Sequence, residues 1–502
     1  MTNRHGVRAT LAAVGAMLSG AAPTAALPVP PTTIGVTVTP PANYRKVRSL
    51  ANLAAGGFWM ASDHHVLGSG EVDTDGNVKK VASGVMLRRI LAPLNSGSKS
   101  ATVRCIWQGK GDLKVEGKKV QGARIVANGL TFKLDTDPAS QGGSAELRLA
   151  SVDPADPIRN IDCRETSLPA DARFDPRYVE SLRSFKVIRF MDWQASNSNA
   201  PVTWSTRHSQ ASIDTTKRDG IAIEDLIALT RATNADPWFN MPWNGDDDYF
   251  ERFARMVHDN LPADRTVYVE MGNEIWNHAF KASRQAQQEG VAAGLAPDPN
   301  IAGLLRYAQR LAHVMDIWKK VYADRPGRLV RVAACQNGAG CAKVVLGYQD
   351  TAKHVDALAT APYFGARLNR APFASADAVF AALDPEVDRA IDLALQAKEV
   401  AAQYGKRYLA YEGGQHLILK DVALEEQVER DPRMYDAYRK YLDLWRREIG
   451  DTLALYASSG SISRFGAWGL IEYVGQPLSE TPKMRAVEEA VAAGRDAKAS
   501  HR

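Results

Sequence analysis

The sequence predicts an α/β protein: a (β/α)8 TIM barrel with an N-terminal β-sandwich domain. Three observations carry that expectation. Between about residues 33 and 155 apolar residues recur at every second position, as in "ATVRCIWQ", "ARIVANGLTFKLDT" and "SAELRLASV", with Gly and Asp punctuating the runs. Beyond "DPADP" at 153–157 short apolar runs alternate with amphipathic stretches such as "DDDYFERFARMVHDNL" and "RMYDAYRKYLDLWRREIG". Eight such pairs fit between 156 and 495, enough to close a barrel and more than a doubly wound sheet usually holds.

The elements follow in chain order. Residues 1–26 carry Arg4 and Arg8, a short Gly/Ala-rich apolar stretch and Thr24-Ala25-Ala26. This is the pattern of a signal peptide cut near Ala26, and it predicts export to a secreted or periplasmic location. Residues 27–155 make a Pro-rich linker and the sandwich; 156–495 make the barrel. The barrel strands are expected at 157–165, 186–194, 235–243, 265–274, 328–336, 355–365, 407–415 and 463–472, each followed by a helix.

Composition narrows the function. A formal charge of +5 spread over 502 residues, without a Lys/Arg block, argues against a nucleic-acid partner. No later stretch is long and apolar enough to span a membrane once the signal is cut. No glycine fingerprint for a dinucleotide or phosphate follows any strand, so no cofactor is expected. "DDD" at 246–248 reads as the acidic first turn of a helix and "DHH" at 63–65 as a turn, so neither predicts a metal site. The four cysteines allow three pairings. Cys335 and Cys341 bracket the flexible "QNGAG" and are expected to be linked, with Cys105 and Cys163 either paired or free. A zinc site is disfavoured by the lack of a CxxC motif or a neighbouring His.

In a (β/α)8 barrel, chemistry gathers at the C-terminal ends of the strands. "VYVEMGNEIWN" ends the fourth strand on Glu274, and "YLAYEGGQ" ends the seventh on Glu412, where Gly413 and Gly414 permit a steep turn. Two carboxyls brought to one mouth from different strands suit glycoside hydrolysis, which needs an acid for the leaving oxygen and an ionised partner. Glu274 as a capping acid is the bland alternative, and Glu472 rivals Glu412. Glu270, deeper on the fourth strand, reads as a barrel-interior acid, and Arg189 as a buried ion-pair partner of Glu270 or of Asp192. Trp193, Trp204, Trp238, Trp243, Trp276 and Trp468 fall at or just past strand ends, as a rim for stacking sugars would require.

"EMGNE" closing strand four, together with "YEGG" closing strand seven, resembles the clan A (β/α)8 glycoside hydrolases, which are retaining enzymes. The resemblance implies that Glu274 is the general acid/base, Glu412 the nucleophile and Asn273 a donor to the substrate 2-hydroxyl. It further implies that Arg189 in "VIRF" supports the nucleophile, that Tyr363 in "APYFG" is its hydroxyl partner, and that Trp468 in "AWG" is an aromatic platform. The clan's strand-three histidine is not evident; Trp243 or Asn240 stands in that region. "RFMDWQ", "DPWFNMPW" and "YVEMGNEIWN" also resemble secreted bacterial proteins labelled cellulose-binding, although no separate binding module is visible. The expectation is therefore an exported retaining glycoside hydrolase acting on a β-linked polysaccharide or oligosaccharide, with Trp276, Trp243 and Trp193 among the sugar contacts. Long loops at 194–220 and 275–300 suit an open cleft and endo action, and equally the closing of a pocket. The alternatives are a non-catalytic carbohydrate-binding protein and a cell-wall structural or scaffolding protein with the sandwich as its interaction module.

Overall fold

The computed structural model describes residues 29–41, 47–91, 99–127, 129–137, 140, 142–214 and 220–499. The expected signal peptide lies outside the described residues.

Eight parallel strands close a barrel: β1 (Thr33–Thr37), β2 (Val187–Arg189), β3 (Asp236–Met241), β4 (Val267–Met271), β5 (Leu329–Ala334), β6 (Ala357–Thr360), β7 (Arg407–Ala410) and β8 (Thr452–Leu455). Neighbours pair in sequence order, and β8 returns to β1 with Thr452 opposite Thr33 and Leu455 opposite Val36. Both faces of these strands are buried, which is why they read as near-continuous apolar runs. Alternate side chains point inward, where Val187, Trp238, Tyr268, Val332, Ala357, Leu409 and Tyr411 fill the barrel. The intervening ones, among them Ile188, Phe239, Val269 and Leu358, face outward into the layer beneath the helices. Fully burying one such large side chain contributes about 1.5–3 kcal/mol.

The helices start where the sequence marks them. Asp246 accepts from the Tyr249 amide at 2.8 Å and caps Asp247–Asn260, so the "DDD" run is a helix start. Asp298 caps Pro299–Val321 and Asp431 caps Pro432–Leu444, each followed by a proline in the first turn.

Two positions in the strand order correct the sequence reading. Residues 157–165, expected to open the barrel, form strand Arg159–Glu165 in an antiparallel sheet, where Cys163 pairs with Cys105. Its burial alternates, as in a strand with one wet face, whereas the barrel strands are buried on both. The barrel opens instead at Thr33–Thr37, inside the segment assigned to the sandwich. The eighth strand is Thr452–Leu455, not 463–472, a stretch that carries two glycines and an exposed Phe465. One early strand replaces another, so the fourth and seventh positions keep their numbers.

Eight antiparallel strands lie between β1 and β2 in the chain and form two four-stranded sheets. One runs in the order Trp59–Ala61, Leu87–Ile90, Glu146–Val152, Gly111–Glu116; the other in the order Val120–Val126, Gly129–Asp135, Ser100–Gln108, Arg159–Glu165. Both contribute to one apolar cluster, with Leu87, Val115, Leu147 and Leu149 from the first and Val103, Leu130, Phe132 and Ile161 from the second. The structure contains two disulfides, Cys335–Cys341 as expected and Cys105–Cys163. No helix among the described residues is long and apolar enough to cross a membrane.

Candidate active site

Arg189, the last residue of β2, is fully buried at the centre of the mouth. Its Nε and Nη2 donate to the two oxygens of Glu270 on β4, each at 3.0 Å, a bidentate pairing. Nη1 donates to Glu412 Oε1 at 2.6 Å, and Nη2 also reaches Asn273 Oδ1 at 2.7 Å. Arg189 therefore pairs with Glu270 and with Glu412 at once. Asp192 instead accepts from the Tyr456 hydroxyl at 3.3 Å. Burial opposes the Arg189 charge, but the Glu270 and Glu412 carboxylates outweigh it and hold its pKa above the ordinary value.

Glu412 lies just past β7, after Tyr411. Its second oxygen accepts from the Tyr363 hydroxyl at 2.9 Å, so both oxygens are held by donors. The chain then turns through Gly413, where an added Cβ would lie 2.5 Å from the Tyr441 hydroxyl, and Gly414 at φ +110°. Glu274 sits past β4 in a turn that begins at Gly272, whose carbonyl accepts from Asn240 Nδ2 at 2.8 Å. Glu274 adopts φ 46°, a left-handed conformation uncommon outside glycine and typical of functional turns. Its Oε2 accepts from Asn277 Nδ2 at 2.8 Å and its Oε1 lies 3.4 Å from the Tyr411 hydroxyl.

Burial pushes both carboxyls up. Glu412 reaches about 8, with the Glu274 charge adding to burial while Arg189 and Tyr363 hold it down. Glu274 is raised by burial against the Asn277 hydrogen bond and the Arg189 charge. Carboxyls that feel each other's charge titrate as a pair, so below about 8 the pair carries a proton. The donors decide where it sits. Glu412 has a cation and a hydroxyl; Glu274 has only an amide and a distant hydroxyl. The charge therefore belongs on Glu412 and the proton on Glu274. Tyr363 keeps its own proton, because burial and then the Glu412 charge disfavour the phenolate.

The other expected contacts divide. Trp468 lies beside Tyr456 and His416, with ring centroids 6.1 and 5.3 Å away, and His416 in turn lies 5.1 Å from Tyr363. Trp276 donates its indole N–H to the Tyr411 hydroxyl at 3.0 Å. Asn273, fixed by Arg189 through Oδ1, donates from Nδ2 to Asn197 at 3.1 Å. Trp193 and Trp243 are placed elsewhere, both buried in the layer between strands and helices. The Trp193 N–H goes to the Thr39 carbonyl at 2.8 Å, and the ring packs on Phe174, Tyr178 and Phe190. Trp243 points its N–H at Glu289, 3.3 Å away. Trp238 lies inside the barrel and donates to Glu270 at 2.9 Å. Glu472, the rival carboxylate, is held by Arg430 at 2.7 and 2.8 Å.

Tyr411, Asn277 and Asn197 escaped the sequence reading, as did His416 and Tyr456 beside Tyr363 and Trp468. Tyr411 had a signal, since it shares inward parity with Leu409 one step before Glu412. Among the described residues no group of three or more His, Cys, Asp or Glu side chains could hold a metal ion.

No protein-family model matches the chain, and no curated protein matches it. Solved structures resemble it at low identity. A GH51 arabinofuranosidase from Xanthomonas axonopodis pv. citri aligns at 11% identity over 59% of this chain and 62% of its own, with a TM-score of 0.39. An alpha-L-arabinofuranosidase from Thermotoga maritima aligns at 12% over 63% of each chain, with a TM-score of 0.40. A beta-glucosidase from Thermotoga maritima aligns at 11% over 63% of this chain and 85% of its own, with a TM-score of 0.37. The chain spans less than two thirds of the length of either arabinofuranosidase. At these scores the likeness decides nothing about chemistry, which rests on the side chains at the mouth.

Proposed function

We propose that the protein is an exported retaining glycoside hydrolase that cleaves β-linked glycan by double displacement. The observation that carries the reading is the unequal treatment of two buried carboxyls: Glu412 clamped by Arg189 and Tyr363, Glu274 held only by neutral donors. In the first step Glu412 attacks the anomeric carbon while Glu274 passes its proton to the departing oxygen; the C–O bond to the leaving sugar breaks and an ester to Glu412 forms. In the second step Glu274, now a carboxylate, takes a proton from water, whose oxygen displaces Glu412. Asn273 offers its remaining amide N–H to the sugar 2-hydroxyl, and Trp468 and Trp276 offer aromatic faces.

In this reading the leader at 1–26 directs export, which suits the two disulfides. The two antiparallel sheets act as one sandwich domain, and the barrel carries catalysis. The stretch 275–300, expected as a loop, instead carries helix Lys281–Ala292, so the open cleft that suits endo action on a polysaccharide rests on the long segment 194–214 alone.

Reducing-end release across β-glucans, xylan, mannan, arabinan and bacterial exopolysaccharides tests the reading. The wild type should hydrolyse at least one with retained configuration, and Glu412→Gln should lose that activity. Glu274→Ala should be rescued by azide to a β-glycosyl azide on substrates with good leaving groups, whereas Glu412→Ala should give the α-product. Binding without turnover across the panel, or an inverted product, would overturn the proposal.

A further inference from the structure

Tyr411 stands immediately before Glu412, fully buried and pointing into the barrel. A phenol oxygen carries one hydrogen and two lone pairs, and an indole nitrogen can only donate. The Trp276 N–H, 3.0 Å away, therefore occupies a lone pair and leaves the hydroxyl hydrogen free to turn to Glu274 Oε1 at 3.4 Å. The ring is pinned from beneath by Arg189, whose guanidinium carbon lies 4.9 Å from the ring centroid.

We infer that Tyr411 is a positioning residue whose hydroxyl hydrogen is aimed at Glu274 and stabilises the carboxylate that forms there when the proton leaves, an inference that rests on the retaining-glycosidase reading. The charged and titratable groups facing Glu274 are Arg189 from β2, Glu270 from β4, Tyr363 beyond β6, and Glu412 beside Tyr411. The one cation, Arg189, is committed to Glu270, Glu412 and Asn273. Glu274 is left with two neutral donors, Asn277 and Tyr411. A 3.4 Å contact is weak while Glu274 holds its proton, and it shortens and strengthens once the oxygen is charged. An interaction that is stronger after proton transfer than before it lowers the barrier to that transfer. Tyr411 remains a donor at working pH, because burial and then the charges of Glu274, Glu412 and Glu270 disfavour its ionisation.

The test is Tyr411→Phe, which keeps the ring and removes the hydroxyl. Losing a donor to the charged form raises the Glu274 pKa. Carbon-13 titration of labelled glutamate carboxyls, assigned by difference against Glu274→Gln, should show that rise as about half to one pH unit. The alkaline limb of kcat/KM should move up with it. Aryl glycosides with poor leaving groups should react about three- to tenfold more slowly, while those with good leaving groups, which need little acid assistance, should form the glycosyl-enzyme at the wild-type rate. Should Tyr411→Phe fail to fold, Trp276→Phe carries the same test with a smaller shift in the same direction, because the hydroxyl loses the N–H that fixes it. An unmoved Glu274 titration, or an equal loss on both substrate classes with the pH limb in place, would overturn the inference. If the carboxyl titration shifts but no variant or wild type turns over any glycan, the positioning role stands and the glycosidase reading falls.

Discussion

Arg189 decides more at the mouth than either glutamate alone, because three acceptors depend on one buried cation. It holds Glu270 with two hydrogen bonds, Glu412 with one and Asn273 with one, and all four side chains are buried. Removing one partner of a buried pair leaves an uncompensated charge, at a cost of about 3–5 kcal/mol. Arg189→Met should therefore lower unfolding stability by about that amount, measured by urea denaturation, and adding Glu270→Gln should recover part of it. A loss below about 1 kcal/mol would mean that the carboxyls relax by taking up protons instead. Glu274 and Glu412 were legible as strand-end carboxyls, and Asn273, Arg189 and Tyr363 through the resemblance; the structure brings all five to one mouth. Trp193 and Trp243 were not correctly legible, because a tryptophan beside a strand end looks the same in sequence whether it faces the mouth or the helices. Hydrogen bonds to Thr39 and Glu289 are long-range facts that no local pattern carries.

At the scale of elements, six barrel strands were read at their observed places because each is a compact apolar run followed by an amphipathic helix. The first and last were misplaced for opposite reasons. Thr33–Thr37 is short, follows prolines and leads into sheets rather than a helix, so its parallel partners on β2 and β8 are invisible locally. Thr452–Leu455 is four residues long and directly follows the helical stretch that ends at Ile449. The disulfides test how much each region depends on a covalent tie. Cys105–Cys163 spans 58 residues and joins two neighbouring strands; Cys335–Cys341 spans 6 and follows β5. Loop-closure entropy predicts stabilisation of about 4 kcal/mol for the longer loop and about 2 for the shorter. Replacing Cys105 and Cys163 by serine should therefore lower Tm more than replacing Cys335 and Cys341, as read by calorimetry under non-reducing conditions. The reverse order would show that native packing of the "QNGAG" loop, rather than chain entropy, sets the contribution.

Across the whole molecule, the inserted sheets and the barrel are joined by buried arginines. Arg48 pairs with Glu165 of the sheet strand Arg159–Glu165, and Arg89 donates to the carbonyls of Ala54, at 2.6 Å, and Ile213. The same economy of buried charge sets how stability answers to pH. Glu270, Glu274 and Glu412 at the mouth, and Glu429 and Glu425 beneath the loop after β8, all have pKa values raised by burial, Glu412 to about 8 and Glu425 to about 7. Glu429 is partnered by Lys483 at 2.7 Å, and Lys483 also donates to the carbonyl of Ala467, the residue before Trp468, at 2.6 Å. A raised carboxyl binds a proton in the folded state that the unfolded chain has already released. Its contribution to stability is fully present below the ordinary glutamate value of 4.5 and is lost as pH rises through the folded values, to about 7 and 8. His416 acts in the other direction, since burial lowers its pKa and its contribution grows as pH rises toward 6.5, but it stands against Glu270, Glu425, Glu429 and the one proton shared by Glu274 and Glu412. Tm should therefore fall as pH rises from the ordinary glutamate value of 4.5 to about 8. Glu425→Gln should flatten that fall without touching the mouth, whereas Glu412→Gln should flatten it and abolish turnover together. A Tm that holds level or climbs as pH rises from 4.5 to about 8 would show that these carboxyls stay ionised in the folded chain, and that Arg189 and Lys483 outweigh burial.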